Sequence, residues 1–213
     1  MSIEPATTFV GTLQGGLELL APRAADVNIG DVIWSLSRQR RYNGNTKRDW
    51  TVAQHSLLCL DIVLEDLLDD DGGLSPRGAE RALMTLWHDA AEAYLGDIIL
   101  PVKKVLGRAY RELETTVQDA CDIALTGRIR TAADDRWQRS YDRLSRAVER
   151  AELCDAWEDV SDIASPEMID YARARLHAYL GMDADTVRKD MLDQHVRLWD
   201  NFIHPNERSN LDD

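Results

Sequence analysis

Apolar residues recur at helical spacing along most of the chain, and turn residues punctuate them. Thr51 reads as an N-cap with Gln54 in the capping-box position, and the helix behind it carries Leu58, Ile62, Leu64, Leu67 and Leu68. Asp69-Asp70-Asp71-Gly72-Gly73 stops it. Ser75-Pro76 restarts the chain as cap and first helical residue. Leu83, Leu86, Trp87, Ala90 and Ala91 then predict one buried helix reaching Gly96, a natural C-terminal cap. The connector Asp97–Lys104 leads into a helix to about Thr126, with further helices at about 131–159, 166–180 and 184–202. Upstream, a short helix follows Asn28 with Val32, Ile33 and Leu36 inward, and residues 40–50 are polar and turn-rich. Thr8–Leu13 fits a short strand or turn, and Gly15-Gly16 excludes a helix there. With no repeat, low-complexity linker or second-domain boundary, the pattern predicts one all-α domain.

Composition narrows the partners. The 213 residues suffice for one sizeable core. A formal net charge of -13 repels phosphate backbones, so the expectation is no duplex nucleic acid and no anionic membrane. A small anion remains possible where a metal, Lys and Arg focus positive charge. Cys59, Cys121 and Cys154 are an odd number, scattered within apparent helices, which fits a reducing compartment better than a disulfide framework or a zinc site. The start Met1-Ser2-Ile3-Glu4-Pro5 has no basic region followed by an apolar run, and no stretch is long enough to span a bilayer, so the expected location is cytoplasmic.

The chemistry concentrates at Leu86-Trp87-His88-Asp89-Ala90-Ala91-Glu92-Ala93-Tyr94-Leu95-Gly96-Asp97. On a helix, neighbouring residues are about 100° apart, so His88 and Asp89 can lean toward one ion. Imidazole plus carboxylate suits a divalent metal. Glu92 shares their face and is placed to act as general base or to hold a water in line. Asp97, beyond the cap, can be aimed into the same pocket, and Lys103 after Pro101 is a phosphate contact as a point charge. His55 is the upstream partner. The other histidines, His177, His195 and His204, lack an acidic neighbour pattern and read as surface or packing residues.

The string from His88 to Lys103 resembles the HD-domain phosphohydrolase superfamily. Its nearest branch is the 5′-deoxynucleotidase-like group common in phage and prophage genomes. Leu36–Gly44 and Thr51-Val52-Ala53-Gln54-His55-Ser56 carry a second match, and the likeness fades after about residue 130. The resemblance implies an HD-type helical bundle over residues 31–203, with an N-terminal extension at 1–30 and a polar tail at 204–213. It implies one divalent ion (Co, Mn, Zn, Mg or Fe) on His55, His88, Asp89 and a distal carboxylate. The in-register position for that carboxylate is Glu152; Asp155, one turn on, is preferred because the superfamily uses aspartate. Glu92 and Asp97 would be the water-activating and leaving-group carboxylates. Arg41, or Arg40 by register, would hold the substrate phosphate, Tyr42 would lie against sugar or base, and Lys103 would touch phosphate. Asn45 departs from the histidine many relatives carry there. The implied activity removes the 5′-phosphate of a deoxynucleoside monophosphate. The alternatives are a triphosphohydrolase releasing tripolyphosphate from deoxynucleoside triphosphates, or a degenerate nucleotide-binding module. The family also implies a homodimer, for which Trp137, Tyr171, Tyr179, Trp199 and Phe202 could supply an interface or simply pack the core.

Overall fold

The computed structural model describes residues 8–69, 71–156 and 158–200. Phe202 and the expected polar tail from His204 lie outside the described residues. The chain is a helical bundle with one minor hairpin. Strands β1 (Phe9–Gly11) and β2 (Gly16–Glu18) pair antiparallel, with Val10 opposite Leu17. Eight helices follow among the described residues: α1 (Ile29–Leu36), α2 (Val52–Leu67), α3 (Pro76–Leu86), α4 (Glu92–Leu95), α5 (Leu100–Thr126), α6 (Ala132–Cys154), α7 (Pro166–Tyr179) and α8 (Ala184–Leu198). No helix among the described residues is long and apolar enough to cross a membrane.

Helix α2 is the axis of the bundle. Thr51 Oγ1 accepts from the Gln54 backbone N–H while the Gln54 side chain accepts from the Thr51 N–H, so the capping box is closed. Every residue from Val52 to Leu64 is buried, because α3, α6, α7 and α8 all pack against it. Leu57, Leu58, Leu60 and Ile62 are at most 1% exposed, and each such side chain contributes roughly 1.5–3 kcal/mol. His55 and Ser56 sit in the same buried stretch, so any chemistry there is built into the core.

The expected continuous helix through His88-Asp89 is interrupted. Helix α3 ends at Leu86, residues 87–91 form turns, and α4 is a single turn capped by Gly96 at φ 80. Gln118 of α5 is the cause. Its Oε1 accepts from the Ala91 N–H (3.0 Å) and its Nε2 donates to the Trp87 carbonyl (2.9 Å). Those are the two groups that would bond each other in an unbroken α-helix, so the side-chain amide has inserted into the ladder. The apolar periodicity of residues 83–91 reports burial correctly but is blind to an amide arriving from another helix.

Of the late aromatics, Tyr179 is 5% exposed and its hydroxyl donates to Asp61 (2.7 Å), while Trp137 packs with its ring 4.7 Å from that of Tyr141. His195 takes a hydrogen bond from Trp87 Nε1 (3.2 Å) and stacks on Trp199, a packing role as expected. All three cysteines are free.

Candidate metal centre

Two helices and one turn segment converge on a cluster of imidazoles and carboxylates. His55 comes from the second turn of α2, His88 and Asp89 from the break after α3, and Asp142 from α6. His55 Nε2 lies 3.2 Å from His88 Nε2, 3.6 Å from Asp89 Oδ2 and 3.4 Å from Asp142 Oδ1. His88 Nε2 is 3.3 Å from Asp89 Oδ2.

Hydrogen-bond partners fix the tautomers. His88 Nδ1 lies 2.7 Å from the Thr85 carbonyl oxygen, which can only accept, so Nδ1 carries the hydrogen. His55 Nδ1 faces the Glu149 carboxylate at 2.5 Å and likewise donates. With both Nδ1–H groups engaged, the two Nε2 atoms face each other and two carboxylates. Burial and Arg41 lower the proton affinity of His55, but Cys59, Glu149 and Asp142 lift it well above the ordinary histidine range, so either a proton or a divalent ion can balance the charge here. The four separations above lie near the edge of about 3.4 Å expected between donors about 2.1 Å from a shared tetrahedral ion. Two imidazoles and two carboxylates, each imidazole oriented by a backbone or carboxylate acceptor behind it, form a recognised divalent-metal donor set.

The electrostatics agree. Burial works against ionisation of Asp89, but His88, His55 and Arg41 hold its carboxyl well below the usual range. Asp142 is likewise lowered against burial, by His55 and by Arg146, whose guanidinium is 3.2 Å away. Cys59 Sγ also reaches this place, 3.6 Å from His55 Nε2, and the ligating atoms of His55, Cys59 and His88 lie within 4.8 Å of one another, a group that could hold a metal ion. Burial raises the Cys59 thiol above its ordinary range and Ser145 sits 3.1 Å from the sulfur. A bound divalent ion would deprotonate a ligating thiol, so Cys59 is a candidate ligand beside the two aspartates.

Glu149 forms the rear wall. Fully buried, it receives His55 Nδ1–H, Arg41 Nε–H (3.1 Å) and the Tyr42 hydroxyl (2.8 Å). Burial raises its proton affinity, but Arg41 and His55 overcome this and bring the carboxyl down to about 2. Arg41 is buried between Glu149 and Asp89, its NH1 3.6 Å from Asp89 Oδ2. Tyr42 is held by Glu149 in the left-handed region, at φ 57, a backbone strain of about 1–2 kcal/mol that the buried bond offsets. Arg40 points outward to Asp49 at 2.7 Å, so Arg41 and not Arg40 reaches the cluster.

Glu92 is 5% exposed and its Oε2 has no hydrogen-bond partner among the described residues. Burial and the nearby carboxylates of Asp89 and Asp97 raise its proton affinity well above the ordinary glutamate range. Its Oε1 lies 3.5 Å from Lys103 Nζ, which is also 2.6 Å from Glu114. Asp97 is raised by burial too, with Arg41 and Asp89 pulling in opposite directions. Gln39 secures this loop, donating to the Glu92 carbonyl (2.8 Å) and accepting from the Asp97 N–H (3.1 Å).

The structure thus gathers His55, His88, Asp89, Arg41, Tyr42, Glu92, Asp97 and Lys103 around one place, but not Asp155. That residue caps α6 with φ 52 and pairs with Lys47 at the surface. Glu152 is committed to Arg173 (2.8 Å) and His177 (3.1 Å). Both lie beyond the site because α6 has already passed it: Asp142, two turns before Glu149, is the carboxylate that faces His55. The sequence signal that could have found them is the i, i+3, i+7 series Asp142, Ser145, Glu149, all turned to α2. Nothing in the sequence marks Gln118.

No protein-family model matches the chain. An uncharacterized protein of Rhodobacter capsulatus is 41% identical over 110 residues, covering 50% of this chain and 52% of that protein. The uncharacterized protein YfdR of Escherichia coli (strain K12) is 33% identical over 92 residues, 43% of each. The chain spans about half the length, or less, of these curated relatives.

Proposed function

We propose that the protein is a metal-dependent phosphohydrolase that removes the 5′-phosphate of a deoxynucleoside monophosphate. One observation carries the hydrolytic reading: a cluster of two imidazoles and two aspartates stands beside a buried glutamate with one unpartnered oxygen. The nucleotide class rests on the resemblance of residues 36–56 and 88–103 to the deoxynucleotidase-like branch of the HD superfamily.

His55, His88, Asp89 and Asp142 would hold the ion. When bound, a divalent ion supplies Lewis acidity toward a phosphoryl oxygen and an attacking water. Glu92 accepts the proton of that water at Oε2, and the raised proton affinity of its carboxyl makes it a stronger base than an exposed glutamate. Arg41, locked in place by Glu149, and Lys103 set positive charge where the phosphoryl oxygens gain negative charge. Asp97, also raised, delivers a proton to the departing 5′-oxygen. Asp142 supplies the distal carboxylate, which supports turnover over a degenerate binding module.

The test is a product-release assay on deoxynucleoside mono- and triphosphates with manganese, cobalt, magnesium or zinc. Release of inorganic phosphate from monophosphates is expected. Tripolyphosphate from triphosphates would replace the substrate assignment, and metal binding without turnover on either would sink the enzymatic one.

A further inference from the structure

A cavity of about 560 Å³ lies away from the acceptor cluster, between the segment 37–54 and the turn joining α7 to α8. Its volume is in the range that accommodates small ligands. Arg38, Arg40, Arg48, Asp49, Gly181 and Asp183 are among the residues that line it.

The acids there are already engaged. Asp49 takes Arg40 through two contacts of 2.7 and 2.8 Å, and Asp183 caps α8 by accepting from the Thr186 N–H at 2.7 Å. Arg38 and Arg48 have no carboxylate partner among the described residues. The Arg38 guanidinium is stacked 3.5 Å from the centre of the Trp34 ring, which orders it without using its N–H fork. Arg48 rests over Gly181, whose φ is +89; a Cβ there would stand 3.4 Å from Arg48 NH2. Two guanidinium forks with unused donors thus face one cavity in a chain of net charge -13. Guanidinium forks match phosphate oxygens bidentately, and a local positive patch on an acidic protein selects for anions.

The cavity also backs onto the cluster. Arg40 pairs with Thr51 in an antiparallel bridge, so neighbouring residues alternate sides. Arg38 and Arg40 face the cavity, while Gln39 holds Glu92 and Asp97 and Arg41 holds Glu149. Gln54 lines the cavity, while the adjacent His55 belongs to the cluster.

We propose that this cavity is a second, oligophosphate-binding site, separate from the metal cluster and gripping the reverse side of the segment that positions it. The inference is independent of the phosphohydrolase reading. Calorimetric titration of the full chain with inorganic tripolyphosphate, and with the non-hydrolysable α,β-methylene analogue of dATP, tests it. Wild type should bind tripolyphosphate, and the Arg38→Ala/Arg48→Ala double variant should bind at least tenfold more weakly. Both side chains are exposed, so the fold should survive, and circular dichroism checks that it does. Arg48→Lys, which keeps charge but loses the fork, should fall between the two. Lys103→Ala, which removes the cluster's partly exposed phosphate contact without breaking a buried pair of the segment 37–54, should leave tripolyphosphate binding within about twofold. Tighter binding of the dATP analogue would identify the ligand as a nucleotide, and equal binding an inorganic oligophosphate. Wild type that binds neither probe, a double variant that binds like wild type, or binding abolished by Lys103→Ala would each overturn the proposal.

Discussion

Glu149 and Glu92 flank the acceptor cluster from opposite sides, and both are buried, at 0% and 5% exposure. Glu149 receives an imidazole, a guanidinium and a phenol, and its carboxyl is pulled down to about 2. Glu92 keeps one oxygen unpartnered, shares its surroundings with Asp89 and Asp97, and is raised. Burial penalises both anions alike, so the difference comes from neighbours: donors behind the cluster, acceptors in front of it. One side is held by three donors, and the other keeps a buried carboxylate oxygen without a partner among the described residues.

That contrast can be broken most forcefully by removing the cluster itself. His88→Ala and Asp142→Ala should each bring bound metal, measured by elemental analysis, to background and abolish phosphate release. Should Asp142→Ala retain full metal occupancy, the distal ligand assigned to α6 is wrong. Glu92→Gln should separate chemistry from binding: metal content unchanged, with the rate lowered about 10²–10⁴-fold, the range for a lost general base. Full activity in that variant would remove Glu92 from its role. Glu149→Gln should do the reverse. It weakens the carboxylate behind His55, so metal affinity should fall about 10–100-fold. It also deprives buried Arg41 of the nearer of its two charge partners, leaving Asp89 at 3.6 Å, which costs up to about 3–5 kcal/mol and should lower the melting temperature. An unchanged melting temperature would mean that Asp89 alone compensates the Arg41 charge.

Much of this front-and-back arrangement is legible in the sequence where it is local. The capping box at Thr51, the Ser75-Pro76 restart and the Gly96 cap are short-range devices, and each forms as read. His88, Asp89, Glu92 and Asp97 fall within ten residues, so their grouping survives even though the helix carrying them is broken. Asp142 and Glu149 are not legible in that way. They reach His55 from 87 and 94 residues away, and only the packing of α6 on α2 decides which face of α6 turns inward. A pattern anchored on Val148 and Ala151 selects Glu152 and Asp155, on a part of α6 that has already left the site.

Gln118 offers a milder perturbation of the front side. Its amide is the sole side chain recorded bridging Trp87 and Ala91 among the described residues, and Asp122 and Arg130 brace it from behind. Gln118→Leu is nearly isosteric but leaves the buried Ala91 N–H without its partner, while the Trp87 carbonyl keeps the Ala90 N–H at 3.1 Å, a cost of about 1–3 kcal/mol by thermal unfolding. If the gap then closes into a continuous helix, His88 and Asp89 rotate and metal affinity falls with stability. If stability drops while affinity holds, the break is fixed by other contacts.

The smallest effect should come from Asp155. Its carboxylate is 74% exposed and its partner Lys47 is 52% exposed, so solvent screens the pair, and surface pairs of this kind contribute about 0–1 kcal/mol. Asp155→Ala should therefore leave metal content and turnover unchanged and shift stability by no more than about 0.5 kcal/mol. Asp155 also occupies a left-handed backbone position at φ 52, which favours glycine, so Asp155→Gly should be at least as stable as Asp155→Ala. Loss of metal in either variant, with Asp142→Ala retaining it, would reverse the assignment of the distal ligand and move the rear of the site one helical segment along α6.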